Sequence, residues 1–112
     1  MPARWSEWRL FPDPRERGIL VAPFGPGCYE LRVGTQLLLY GKGNHVAERM
    51  TSLLPEPWGC GTRNRNNAIK RADVLSHLGA VEYRTLACGS IGEAIAEEEK
   101  LRARRADYVH QS

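Results

Sequence analysis

The spacing of apolar residues predicts a β-hairpin near the middle of the chain. Two apolar runs, "CYELRV" (28 to 33) and "QLLLY" (36 to 40), flank the dipeptide Gly34-Thr35. A two-residue connection that begins with glycine is typical of a tight hairpin, because glycine readily adopts the positive φ required at the first turn position. We therefore expect two antiparallel strands, with Val33 opposite Gln36.

The register of this hairpin decides which side chains face each other. With that pairing at the turn, Tyr29 lies directly opposite Tyr40, and both project from one face of the sheet. A loop longer by one residue on either side would instead place Leu39 or Gly41 opposite Tyr29. The Tyr29–Tyr40 pairing is the prediction, and the register stays open by one residue.

A helical pattern follows the hairpin. Asn44 can cap this helix, Pro55 would end it, and Arg49 flanks its apolar stripe, with His45 one turn earlier. The stripe has i, i+4, i+7, i+8 spacing and consists of Val46, Met50, Leu53 and Leu54.

Three further segments complete the pattern before the last helix. Residues 67–78 are predicted as a helix, and "AVEYRTLAC" (80 to 88) alternates as a strand does. "GILVAPF" (18 to 24) is predicted as an edge strand, because Pro23 cannot donate to a ladder. Residues 1–18 are predicted as an irregular arm that packs its apolar side chains on the domain: Trp5, Trp8, Leu10 and Phe11.

The last helix carries an acidic residue on its apolar stripe. It begins with the capping box Ser90-x-x-Glu93, and its apolar stripe runs from Ile91 through Ala94 and Ile95 to Leu101. Glu98 falls on this inward face. An unpaired buried carboxylate costs several kcal/mol, so Glu98 should meet a cation, a metal ion or strong donors.

Length and composition are those of one small globular domain. The 112 residues predict a single domain, residues 1–112, of α/β (α+β) class, in which helices flank a small, mainly antiparallel three-stranded sheet. No apolar run approaches the roughly 18 residues of a membrane span, and the charged N-terminus is unlike a secretory signal. A cytoplasmic protein without a membrane partner is therefore expected. Three distant cysteines predict buried thiols in place of a zinc site.

Positive charge is concentrated in one segment. The net charge is only +3, yet "RNRNNAIKR" (63 to 71) has four basic residues and no acid. Because arginine and lysine bind phosphate, this segment predicts contacts to nucleic acid. The side chains expected to make them are Arg63, Arg65, Asn66, Lys70 and Arg71.

Four short motifs together resemble the GIY-YIG endonuclease superfamily. "GCY" (27 to 29) resembles the first signature and "LYGKG" (39 to 43) the second, with its following lysine. Arg49 stands where the helix of that family carries an arginine, and "EAIAEEEKL" (93 to 101) resembles the segment with its glutamate. The resemblance spans roughly residues 25–110 and implies a GIY-YIG-like fold.

The resemblance implies metal-dependent hydrolysis of phosphodiester bonds, with DNA expected over RNA and Glu98 holding Mg²⁺ or Mn²⁺. A hard cation that keeps most of its waters can be held by one carboxylate and a substrate phosphate. Arg49 would neutralise charge in the transition state. Tyr29 would activate the water, with its pKa lowered by Lys42 or the metal. Two further catalytic candidates are Tyr40 and His45, the latter as a phosphate contact or proton carrier.

Departures from the family pattern leave a second hypothesis open. Counted back from the shared Gly41, the second signature tyrosine falls at Leu39, with Tyr40 one place later. The asparagine that often follows a tyrosine near the family's C-terminus is missing, which leaves His110 or Asn66 as substitutes. The alternative is therefore a catalytically inactive module that binds nucleic acid or protein. No zinc finger, helix-turn-helix or long basic tail is visible beside the domain. Sequence specificity would then need a homodimer, a partner, or a preference for a single-stranded or structured substrate.

Overall fold

The computed structural model describes residues 5–13, 19–54 and 65–110, with only the backbone for residues 65–67. These residues form four strands and three α-helices, and a short 3₁₀ turn, Arg105–Asp107, follows the last helix. In chain order the elements are β1 (Arg9–Leu10), β2 (Gly27–Val33), β3 (Gln36–Gly43), α1 (Val46–Thr51), α2 (Arg65–Ser76), β4 (Val81–Ala87) and α3 (Ile91–Ala103).

The strands form one antiparallel sheet in the order β1-β4-β2-β3. The predicted α+β class with an antiparallel sheet flanked by helices is confirmed. The sheet has four strands, because part of the predicted arm pairs with β4: Ser6 N donates to Thr85 O at 2.8 Å and Phe11 N to Val81 O at 2.8 Å. Phe11 lies edge-on to Tyr83, with 5.8 Å between ring centroids, and this buried contact fixes β1 at the edge.

The predicted edge strand at 18–24 is wrong for the described residues 19–24, which form no strand. Their backbone serves a helix instead. Pro23 O accepts from Ala47 N at 2.9 Å, and Gly25 O accepts from Val46 N at 3.1 Å. These carbonyls satisfy amide groups in the first turn of α1, which have no partner inside the helix.

The hairpin turn forms as predicted, but the register shifts beyond it. Gly34 has φ +61° and Val33 pairs with Gln36, whereas an irregularity between Leu31 and Arg32 places Tyr29 opposite Gly41. The predicted Tyr29–Tyr40 pairing is therefore wrong, and the alternative with Gly41 is found. The extra residue allows consecutive leucines, Leu38 (3% exposed) and Leu39 (1%), to enter the same core cluster.

The sheet is covered on both faces. One core cluster joins Leu31 and Leu39 to Met50 of α1 and Val74 of α2, and the other joins Leu86 to the residues of α3 and the C-terminal segment. On α3, Ala94 and Leu101 are buried. Ile91 and Ile95 are 39% and 42% exposed, so their predicted inward position is wrong. The small Ala94 makes the close contact with the sheet.

The helix ends follow the sequence with one change of cap. His45, and not the predicted Asn44, caps α1: its Nδ1 accepts from Glu48 N at 3.1 Å. Ser90 caps α3, with Glu93 N donating to Ser90 Oγ at 3.1 Å. Helix α2 begins and ends two residues before the predicted bounds.

A buried carboxylate that sequence analysis missed lies in the central strand. Glu30 is 0% exposed, pairs with the guanidinium of Arg84, and accepts a hydrogen bond from the Tyr108 hydroxyl. The ring of Tyr40 packs on Tyr108, with 4.8 Å between centroids. Trp5 covers Arg84 from outside, 4.7 Å from ring centroid to guanidinium carbon. These contacts fasten the C-terminal segment and the N-terminal arm to the sheet.

Among the described residues, none of the helices has both the length and the apolar character that crossing a bilayer requires. Cys28 is a buried free thiol, and burial raises its pKa to about 12. Cys88 is a half-buried free thiol, and Cys60 lies outside the described residues.

Candidate active site

Charged and phenolic side chains from four elements meet around the end of the hairpin. Tyr29 comes from β2, Lys42 from β3, Arg49 from α1 and Glu98 from α3. Because β3 is an edge strand and its two faces are covered by different helices, side chains from both faces can converge there. The sequence-predicted group is brought together, apart from Tyr40.

Glu98 is directed into this group with 12% of its side chain exposed. Its Oε1 lies 3.3 Å from Lys42 Nζ and accepts a hydrogen bond from Arg102 Nη2 at 2.9 Å. Its neighbour Glu99 is exposed. The expectation that an inward carboxylate at position 98 must find a cation is therefore met by Lys42 and, one helical turn on, by Arg102.

The Tyr29 ring lies across Gly41 of the neighbouring strand. A Cβ atom at Gly41 would overlap that ring, 2.5 Å from its Cζ. A second glycine, Gly27, permits close packing of α1, since a Cβ there would overlap the Leu86 carbonyl and lie 3.0 Å from Val46 Cγ2. Glycines therefore stand where a strand must pass directly beneath an aromatic ring or beside another backbone.

Burial sets the protonation of Tyr29. The side chain is 7% exposed, and burial raises the pKa of its hydroxyl above the ordinary value for tyrosine. The charge and hydrogen bonding of Arg49 oppose this rise, whereas Glu98 adds to it. We expected Lys42 to lower the Tyr29 pKa. The metal was the alternative. The described cation that opposes the rise is Arg49, whereas Lys42 is paired with Glu98.

Tyr40 lies on the other face of the hairpin. It is 6% exposed and packs on Tyr108 in the core beneath α3. Leu39, at the position of the second signature tyrosine, is 1% exposed in the opposite core cluster. Leu39 shares its core cluster with Tyr29, whereas Tyr40 belongs to the other cluster, so the predicted catalytic role of Tyr40 is not supported by its position. The one-residue register shift is the physical reason.

The two basic side chains described in this segment, Lys70 and Arg71, have different surroundings. Lys70 of α2 is half-buried near the site: burial lowers its pKa, the charge of Arg49 lowers it further, and Glu98 opposes both. Arg71 donates from Nε (3.2 Å) and Nη2 (2.9 Å) to the Leu54 carbonyl, and so secures the chain after α1. Arg63 lies outside the described residues, as do the side chains of Arg65 and Asn66.

Sequence analysis assigned Lys70 to nucleic-acid binding and did not include it in the catalytic group. A usable signal was present: Lys70 precedes the fully buried Val74 by one helical turn and therefore lies on the inward face of α2. His110, named as a substitute for the family asparagine, contacts Asp73 of the same helix, with 2.7 Å from Nε2 to Oδ2.

A cavity of about 460 Å³ opens beside the group. This volume is in the range of small-ligand sites. Since His45 Nδ1 accepts the backbone hydrogen of Glu48, the neutral ring carries its own hydrogen on Nε2 and can donate. The cavity thus combines two cations, a ring donor and one acid. Its lining is Lys42, Gly43, Asn44, His45, Glu48, Arg49 and Ser52.

Within the described residues, no three histidine, cysteine, aspartate or glutamate side chains are close enough to hold a metal ion together. Glu98 is the one predicted ligand, and its Oε1 is already shared by two cations. This donor set does not suit a tightly held resident ion. A hydrated ion that keeps most of its waters would fit better, with a substrate phosphate completing its coordination shell.

Comparison with protein-family models, with curated proteins and with solved structures finds no match for this chain.

Proposed function

We propose that the protein is a metal-dependent endonuclease of GIY-YIG type that hydrolyses phosphodiester bonds in nucleic acid, with DNA the expected substrate over RNA. The observation that supports it most directly is the meeting of Glu98, Lys42, Arg49 and Tyr29 from four elements beside a cavity.

The cavity has the chemistry to bind a phosphodiester. Lys42 and Arg49 supply positive charge, and His45 supplies a fixed N–H donor. Arg49 is presented from α1, whose first turn is tied to Pro23 and Gly25. A guanidinium carried by this helix can neutralise the charge that develops on the phosphoryl oxygens in the transition state.

Tyr29 is proposed as the group that takes a proton from the attacking water. It must first become a phenolate, which burial opposes and Arg49 favours. In the free protein at neutral pH, Tyr29 is therefore a neutral phenol. Its task as a base would depend on the positive charge of Arg49, whose charge and hydrogen bond favour the phenolate.

Glu98 is proposed to hold Mg²⁺ or Mn²⁺ together with the substrate. When bound, such an ion supplies Lewis-acid polarisation of the phosphoryl oxygen. A phosphate that draws Lys42 toward itself would break the 3.3 Å ion pair at Glu98 Oε1 and leave Arg102 as the one cation on that atom. Lys42 would then serve as a phosphate contact.

The deciding experiment is digestion of labelled single-stranded and duplex DNA and RNA oligonucleotides with Mg²⁺, Mn²⁺ or a chelator. Wild-type protein should cut only with metal. Glu98→Ala, Tyr29→Phe and Arg49→Ala should each lose at least about 100-fold in rate, the size of loss seen when one catalytic group is removed. Glu99→Ala is the matched control, because the same acid one position away is exposed. Cutting that survives Glu98→Ala would reject the site.

A catalytically inactive binding module is the second candidate. It is favoured by the buried Leu39, which has no reactive group at the second signature position, and by the closed Lys42–Glu98 pair. Metal-independent binding of the same oligonucleotides without any cleavage would support it. A homodimer stays a prediction, and the mass of the protein in solution tests it.

A further inference from the structure

Phe24 is a large aromatic side chain that the fold holds in solvent. It is 81% exposed, although burial of an apolar side chain of this size is favourable. Its ring faces that of His45, with 5.5 Å between centroids and 31° between planes. His45 in turn lines the cavity that also holds Lys42 and Arg49.

Hydrogen bonds hold the backbone on both sides of Phe24. The carbonyls of Pro23 and Gly25 accept hydrogen bonds from Ala47 and Val46, the first residues of α1. His45 is held as well, since its Nδ1 caps the same helix. The backbone that carries the Phe24 ring and the His45 ring itself are therefore held in place, which reduces what a ligand that stacks on this pair must order.

The surroundings of this pair indicate which ligand fits. An exposed aromatic face beside phosphate-binding cations is the combination that single-stranded nucleic acid uses, because its bases stack while its backbone is neutralised. In an intact duplex the faces of internal bases are already stacked. We propose that the Phe24–His45 pair is a stacking platform for one unpaired base next to the bound phosphate, so that the substrate is single-stranded or locally unpaired.

The inference deepens the proposed nuclease site, but its test does not need cleavage. Binding is measured in chelator with oligonucleotides that carry the fluorescent base 2-aminopurine, as single-stranded DNA, single-stranded RNA and blunt duplex. Wild-type protein should quench the 2-aminopurine fluorescence of the single strands and should bind the duplex more weakly. The two single-stranded arms show which sugar the site accepts.

The variants separate aromatic stacking from apolar contact. Phe24→Leu should weaken single-strand binding about tenfold and remove the quenching, since base stacking on an aromatic ring contributes on that scale. Phe24→Trp should retain both. Val109→Ala is the matched control: Val109 is an exposed apolar residue, 53% exposed, at the opposite end of β3, beside Leu37. It should leave binding unchanged.

Each contrary result has its own meaning. Equal binding by Phe24→Leu and wild type, equal affinity for duplex, or no binding of single strands would overturn the inference. A change in oligomeric state with Phe24→Leu would show that Phe24 lies in an interface between copies and would also overturn it. Phe24-dependent quenching without metal-dependent cleavage by wild type would uphold the platform and reject the nuclease.

Discussion

A glycine in the hairpin is explained by the tyrosine on the adjacent strand. Gly41 lies opposite Tyr29, and the Tyr29 ring occupies the space that a side chain at position 41 would need. We expect Gly41→Ala to displace the ring, to lower the free energy of unfolding by about 1 to 3 kcal/mol and to reduce cleavage, because a methyl group would be forced into a packed contact. Urea denaturation and the oligonucleotide digestion measure the two effects.

The control for this prediction is Gly25→Ala. A Cβ at Gly25 meets nothing within 4 Å, and its φ is not in the positive region. The substitution should be close to neutral or slightly stabilising. Equal losses for the two glycines would show that Tyr29 does not depend on Gly41.

The protonation of Tyr29 predicts an alkaline pH dependence of cleavage. Burial raises the Tyr29 pKa, so the phenolate fraction should still be increasing above about pH 9. The rate should therefore rise with pH across the range from about 7 to 9, and Tyr29→Phe should lose this rise together with most of the activity. A flat single-turnover profile over that range would contradict a role for Tyr29 as base.

Among the elements, the C-terminal segment is joined to the central strand by one buried network. Tyr108 donates a hydrogen bond to Glu30, which is also paired with Arg84. Glu30 is 0% exposed. Tyr108→Phe should lower the free energy of unfolding by about 1 to 3 kcal/mol, since a buried carboxylate then lacks a donor. Asp107→Asn, at an exposed position in the preceding turn, is the control.

The same network predicts how stability changes at high pH. Burial and the hydrogen bond to Glu30 raise the pKa of Tyr108. The folded state then keeps a proton that the unfolded chain releases near pH 10, so this contribution to stability is complete below about pH 10 and is lost as the pH rises further. Denaturation midpoints at increasing alkaline pH should fall more steeply for wild type than for Tyr108→Phe. Parallel curves would show that Tyr108 is not the responsible group.

At the scale of the whole molecule, the acidic group of the site is already paired with basic side chains from β3 and α3. Glu98 is neutralised by Lys42 and Arg102, and the described residues offer no further group of metal ligands. Free protein should therefore bind Mn²⁺ weakly, without saturation below about 1 mM, and binding should tighten when an oligonucleotide is present. Calorimetry with the Tyr29→Phe variant measures this without cleavage, and tight binding to the free protein would contradict it.

Local signals predicted much of the fold. The hairpin turn followed from Gly34-Thr35, the N-terminus of α3 from Ser90 and Glu93, and the antiparallel sheet from alternation. The β1 edge strand could not be predicted, because only two residues pair and the segment is held by Phe11 in a distant core. The inward direction of Glu98 followed from helical period, whereas its two cationic partners required the fold.

The sequence by itself determined the hairpin, the β4 strand and the helices, together with the chemistry available to them, because turns, caps and periodicity depend on residues close in the chain. Tertiary structure decided which of those side chains meet. The burial of both Leu38 and Leu39 in one core shifted the hairpin register by one residue, and side chains in a strand alternate between faces. That single shift placed Tyr29 over Gly41 beside Arg49 and sent Tyr40 into the opposite core.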